Sequence, residues 1–170
     1  MTRSTRCLWT AVAAWASISP ATAPAATQTA AVSANIVKPL TLTGVQNLDL
    51  GTIVLGAGTW SGATVRLART GVLTCTNPNL ICTGVTQVAQ YKITGTNKQT
   101  VTISTPNVTL VRLGDPTNTL TMVVDSPGQV MLTSSGQPGV TISLGGTITL
   151  GSTTVSGDYQ GTFNVTVDYQ

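Results

Sequence analysis

Histidine and glutamate are both missing from this chain of 170 residues, charged residues make up only 8% of it and aromatic residues 4%. Without histidine there can be no Ser-His-Asp triad and no Cys-His pair, and the commonest ligand of zinc and copper sites is gone. The acidic residues are all aspartates, Asp49, Asp115, Asp125, Asp158 and Asp168, and each falls in a turn or at an alternating polar position. None belongs to a carboxylate motif suited to acid–base work. The stretch 114–118 (GDPTN) lacks the acidic density of a calcium loop. The glycine-rich run 56–62 (GAGTWSG) has the wrong spacing for a phosphate cradle, and no helical pattern follows it. The composition predicts a protein that is not an enzyme and that uses neither metal nor cofactor.

Threonine, valine and glycine dominate what remains, which is the palette of strands rather than helices. Ahead of them, Arg3 and Arg6 precede an apolar stretch at 7–18 (CLWTAVAAWASI) that is too short to span a bilayer as a helix. Small residues follow at 21–26 (ATAPAA), completing the form of a secretory signal peptide over residues 1–25, cut after Ala25. The mature chain is then expected to be exported, with no transmembrane segment. It keeps six basic residues against five acidic ones, so self-association is unopposed and there is no basic footprint for nucleic acid. Cys75 and Cys82 are left as an even pair in an exported chain, which predicts a disulfide closing a short loop.

The strongest pattern is alternation. From Tyr159 to Tyr169 every odd position is Tyr, Gly, Phe, Val, Val or Tyr, with polar residues between, as in a strand with one buried face. A second run covers 140–150, with Gly145-Gly146 as a bend or bulge, and near residues 48–53 the apolar phase slips across Gly51. Turn-forming residues punctuate these runs at 77–79, 95–97, 114–116, 126–128, 136–139 and 157–158. About nine strands and no helix are predicted, and with them an antiparallel two-sheet sandwich with a single core. Of the aromatic residues, Tyr159, Phe163 and Tyr169 share the apolar face of the last strand. Trp60, in its glycine-rich loop, is the one ring placed to touch a ligand.

The C-terminal stretch 156–169 (SGDYQGTFNVTVDY) resembles the end of bacterial fimbrial subunits assembled by the chaperone–usher route. Those subunits carry a glycine fourteenth from the end and a penultimate aromatic, the places of Gly157 and Tyr169. Segments 34–42, 48–54 (LDLGTIV), 121–125 and 146–151 are similar to recurring segments of secreted bacterial domains related to spore coat protein U. The resemblance implies an immunoglobulin-like β-sandwich over residues 35–170 that lacks its last strand and is completed by a donor strand from a neighbour. It implies an assembly strand bearing Gly157, Tyr159, Phe163, Val165, Val167 and Tyr169, which a periplasmic chaperone engages before an outer-membrane usher hands the subunit on. Residues 26–34 become the candidate donor segment, with Ala30, Val32, Ala34 and Ile36 in alternation. Few lysines, only Lys38, Lys92 and Lys98, are available to guard sheet edges. The expected function is that of an exported, pilin-like structural subunit of a surface fibre or coat at the periplasm and cell surface. The alternative is a self-contained secreted β-sandwich that binds a surface or glycan through loops such as that around Trp60.

Overall fold

The structure, a computed structural model, describes residues 25–170; the expected signal segment, residues 1–25, lies outside it apart from Ala25. The chain divides after Asn35 into two units. In the first, the described residues 25–35 form no strand and are exposed. The second unit, Ile36–Gln170, holds thirteen strands, and no helix is present among the described residues. The strands are β1 (Thr41–Gln46), β2 (Thr52–Leu55), β3 (Ala63–Leu67), β4 (Leu73–Cys75), β5 (Leu80–Thr83), β6 (Ala89–Thr94) and β7 (Thr100–Ser104). They continue as β8 (Val108–Arg112), β9 (Asp115–Asp125), β10 (Gln129–Met131), β11 (Val140–Leu150), β12 (Tyr159–Gln160) and β13 (Thr166–Tyr169). All pairings are antiparallel, and the fold is an all-β, sandwich-like one with its sheets curled into a half-barrel.

Strand β11 organises the rest. Its first half pairs with β6, from Val140↔Ile93 to Leu144↔Ala89. Its second half pairs with β9, from Gly145↔Asp125 to Ile148↔Met122, and with β3, from Gly146↔Leu67 to Leu150↔Ala63. The change of partner falls on Gly145-Gly146, where the sequence marks a bend. A β-carbon on Gly145 would collide with the carbonyl oxygen of Leu67, and one on Gly146 would lie 2.8 Å from the Met122 sulfur. Strands that pass from one sheet to another turn such corners where glycine permits close backbone approach. Alternation survives the corner: Ile142, Leu144, Ile148 and Leu150 are all buried while Thr141 and Thr149 are exposed.

Two apolar clusters result. In one, Ala89 and Ile93 of β6 and Ile142 and Leu144 of β11 meet Val101 and Ile103 of β7, so the β1-β6-β11 sheet faces the β10-β7-β13 sheet. In the other, Val65 of β3, Val108 of β8, Met122 of β9 and Ile148 of β11 lie inside the curl of the β4-β3-β11-β9-β8-β12 path, with Leu80 of β5. Leu48, Val124 and Phe163 touch both. On the outside of the corner, Arg66 and Arg69 close on Asp125 at 3.0 and 3.1 Å.

Thirteen strands stand where about nine are expected from pattern alone. Part of the excess comes from runs cut in two where they leave one partner strand for another, and part from short strands such as β4 and β10, of three residues each. Residues 41–55 break between β1 and β2, where Gly51 adopts a φ of 73° and donates its N–H to Asp49 Oδ1 at 2.8 Å. Residues 159–169 form β12 on β8 and β13 on β7, with 161–165 unpaired between them. Substituting Gly145→Ala should overpack the corner and cost about 1–3 kcal/mol of stability. A chemical denaturation midpoint measured against Thr149→Ala, an exposed change on the same strand, checks it.

Candidate functional site

Beginning at β2 and ending at β12, the strands can be followed around the curl as β2-β5, then β4-β3-β11-β9-β8-β12. The two pieces are joined by the turn 76–79 and by the Cys75–Cys82 disulfide, which links β4 to β5. Each end strand has a single partner, β5 for β2 and β8 for β12. Between these ends runs a groove of about 1120 Å³, walled by residues 47–55 on one side and 154–163 on the other. Its floor is apolar: Met122, Ile148 and Leu150 are buried, and Leu110, Leu120 and Tyr91 are half-buried.

The first wall alternates. Leu48, Leu50, Ile53 and Leu55 turn toward the core and are half-buried, while Asp49, Thr52 and Val54 are exposed. It is held by the Asp49↔Gln87 bridge and by β5, where Thr52↔Thr83 through Leu55↔Leu80 are in register. Gly56 N–H adds a bond of 2.6 Å to the Asn79 carbonyl. The second wall is anchored to β8. Leu113 N–H donates to the Asp158 carbonyl at 2.8 Å, and Arg112 Nε donates to the Ser156 carbonyl at 2.7 Å. Gly157 has a φ of 149°, in the region that favours glycine, and the Arg112 side chain occupies the space a β-carbon would need. Tyr159 Oη closes the turn by donating to the Val155 carbonyl at 2.7 Å.

Among the described residues, Asp49 and Asp158 are the only charged ones lining the groove. The one aspartate with a resolved shift, Asp115, begins β9 outside it. There the Thr117 hydroxyl, then the Thr117 N–H, Asn118 and Arg112, hold its carboxyl below the ordinary aspartate value. Among the described residues no group of three His, Cys, Asp or Glu side chains is placed to hold a metal ion, and no helix is long and apolar enough to cross a membrane. What the groove offers is an apolar floor flanked by β2, four residues long, and β12, two residues long, each of which has one strand partner among the described residues.

The structure divides the residues expected to act together on the last strand. Gly157, Tyr159 and Phe163 line the groove, whereas Val165, Val167 and Tyr169 pack against the cluster between the other two sheets. Every apolar side chain of this face, from Tyr159 to Tyr169, is only half-buried. Ala30, Val32 and Ala34 belong to the unit without strands, and Ile36, at the start of the second unit, is 90% exposed. Trp60 is half-buried against the β3-β8-β9 cluster, with its indole N–H donated to the Gly56 carbonyl at 3.2 Å.

Pattern alone missed the first wall as part of a site, although the slip at Gly51 marked it. It missed the anchor of Tyr169 as well. The Tyr169 hydroxyl donates to the Lys38 carbonyl and accepts the Thr96 N–H, both at 2.7 Å, while Lys38 N–H donates to Thr96 Oγ1 at 2.6 Å. Gly95 leaves room for this, since a β-carbon there would lie 2.5 Å from the Tyr169 hydroxyl.

Tyr169→Phe should leave the exposed Lys38 carbonyl and the half-buried Thr96 N–H to water and destabilise the domain by about 0.5–1.5 kcal/mol, read as a lowered denaturation midpoint. Reduction of Cys75–Cys82 should cost about 2.5 kcal/mol through the freed loop of the unfolded chain. Hydrogen exchange of the reduced protein should rise first in β2 and β5, because each has only the other as a strand partner.

A family model described as a domain of unknown function (DUF4402) matches residues 40–169, which takes in both walls and the floor of the groove. No curated protein and no solved structure matches the chain. Since the match covers most of the sequence, the chain belongs to the DUF4402 family.

Proposed function

We propose that this protein is an exported structural subunit of a surface fibre or coat, in which residues 26–36 of a neighbouring copy add a strand between β2 and β12. The observation that carries the reading is the groove itself: two strand edges without partners face each other across an apolar floor. An extended peptide suits such a slot, since its main chain bonds to the edges and its alternate side chains enter the floor.

The occupant is argued from this chain. Residues 25–35 form no strand, and Ala30, Val32, Ala34 and Ile36 put an apolar residue at every second position. Wall residues 47–55 run for about 30 Å at strand rise, which eleven extended residues cover. Nearly balanced charge after removal of residues 1–25 places little repulsion between copies. Export through the signal segment, a periplasmic chaperone lending a strand to the same slot and an outer-membrane usher belong to this reading. The slot would otherwise stay open to indiscriminate pairing before a neighbour arrives.

Surface and periplasmic extracts run on a non-reducing gel should show a ladder spaced by one mature subunit that collapses on boiling. Deleting residues 27–33 should abolish the ladder and leave export intact. A ladder that survives the deletion would sink the donor assignment, and a single monomer band from the unaltered protein, confirmed by native sizing, would sink the polymer.

A further inference from the structure

We infer that the outer face of the β4-β3-β11-β9-β8 sheet binds an acidic polysaccharide, read by two arginines and a row of threonine hydroxyls. This face lies behind the groove, on the other side of the same strands, and the inference does not depend on strand exchange.

The row follows from register. Val65, Ile148, Met122 and Val108 fill the cluster inside the curl, so the residues that alternate with them turn outward. Thr64 stands opposite Thr149, and Thr109 opposite Thr121. The Ile148↔Met122 pair places Thr149 and Thr121 side by side one step further along. Thr76 joins through its hydroxyl, 2.9 Å from that of Thr64. Thr76, Thr64, Thr149, Thr121 and Thr109 therefore line up across the sheet, and at the usual distance between strands the row is about 19 Å long. Thr149, Thr121 and Thr109 are exposed.

The neighbouring row carries the charge. Arg66 stands opposite Thr74 on one side and Thr147 on the other. Its Nη2 lies 3.0 Å from Asp125 Oδ2, and Arg69 Nε lies 3.1 Å from Asp125 Oδ1. Two guanidiniums on one carboxylate leave a positive charge in excess, and each keeps further N–H donors for a second anion. Asp125 orders both side chains before any ligand arrives, which lowers the entropy lost on binding. They remain open to solvent, at 56% and 43% exposure.

Charge complementarity makes the guest an anion, and the row gives it its form. A chain of sugar acids laid along the threonines presents hydroxyls at a repeat comparable to the distance between strands. A carboxylate of that chain meets the guanidiniums in the forked geometry that arginine favours. A neutral polysaccharide gains less, because no aromatic ring stands at the outward positions of these strands to stack on it. Nucleic acid needs a wider basic footprint than two arginines supply.

Polygalacturonate is the probe, and its methyl ester, which keeps the sugar chain and loses the charge, is the comparison. Affinity for each is measured at low ionic strength by surface plasmon resonance, and denaturation midpoints check that every variant is folded. The unaltered protein should bind polygalacturonate about tenfold or more tighter than the ester, and added salt should weaken the binding. Arg66→Gln with Arg69→Gln should lower the affinity about tenfold. Thr121→Val with Thr149→Val, which removes two hydroxyls and keeps strand-forming side chains, should lower it about threefold. Lys98→Asn removes a positive charge from the β6–β7 turn, where asparagine accepts the φ of 62°, and should leave the affinity unchanged.

No binding to polygalacturonate, equal binding of the ester, or indifference to salt overturns the inference. So does full affinity in the arginine variant or in the threonine variant. A loss in Lys98→Asn as large as that in the arginine variant assigns the binding to net charge and overturns the inference as well.

Discussion

A strand edge presents a row of amides and carbonyls that must bond to something, and among the described residues β2 and β12 present such edges on either side of one groove with an apolar floor. The remaining architecture holds β2 and β12 at that separation. β12 is the outermost strand of a continuous path through β8, β9 and β11. β2 reaches the same path through β5, the turn after β4 and the Cys75–Cys82 bond, with the Asp49↔Gln87 bridge just ahead of it. The two walls are therefore unequal: one is built into a broad sheet, and the other is a two-stranded ribbon of the kind that is marginal in isolation. A disulfide at that seam acts where hydrogen bonding between strands is thinnest.

The corner in β11 explains why one chain of this size builds two clusters and a groove. A single strand of eleven residues serves both clusters because Gly145 and Gly146 let the Leu67 backbone and Met122 approach where side chains would keep them away. Runs 41–55 and 158–169 make similar passages, through Gly51 and through the unpaired stretch 161–165. Leu48 and Phe163, beside those passages, touch both clusters, so the walls of the groove are continuous with the core. The face of the last strand is half-buried from Tyr159 to Tyr169, and among the described residues β12 and β13 each end their sheets.

Much of this was legible before any coordinates. Alternation in 140–150 and 159–169 announced strands with one inward face, and those same positions are the inward ones in the structure. The glycine pair in β11 and the phase slip at Gly51 announced breaks at the places where they occur. The cysteine pair announced its bond, and the structure joins Cys75 to Cys82. The number of strands was not legible. Periodicity records which side of the chain is apolar and is blind to the identity of the partner, so a run that changes sheets reads as one strand.

What the sequence by itself determined is therefore local: strand class, inward face, turn positions and the disulfide, because these depend on residue types at short separations. What only the tertiary structure decided is which edges lie opposite each other and where the chain is anchored. Residues 47–55 and 154–163 are about a hundred positions apart, and Lys38 meets Tyr169 across 131. Such meetings come from the order of strands around the curl, a property that no short window of sequence contains, and the groove exists only because that order ends with two edges facing each other.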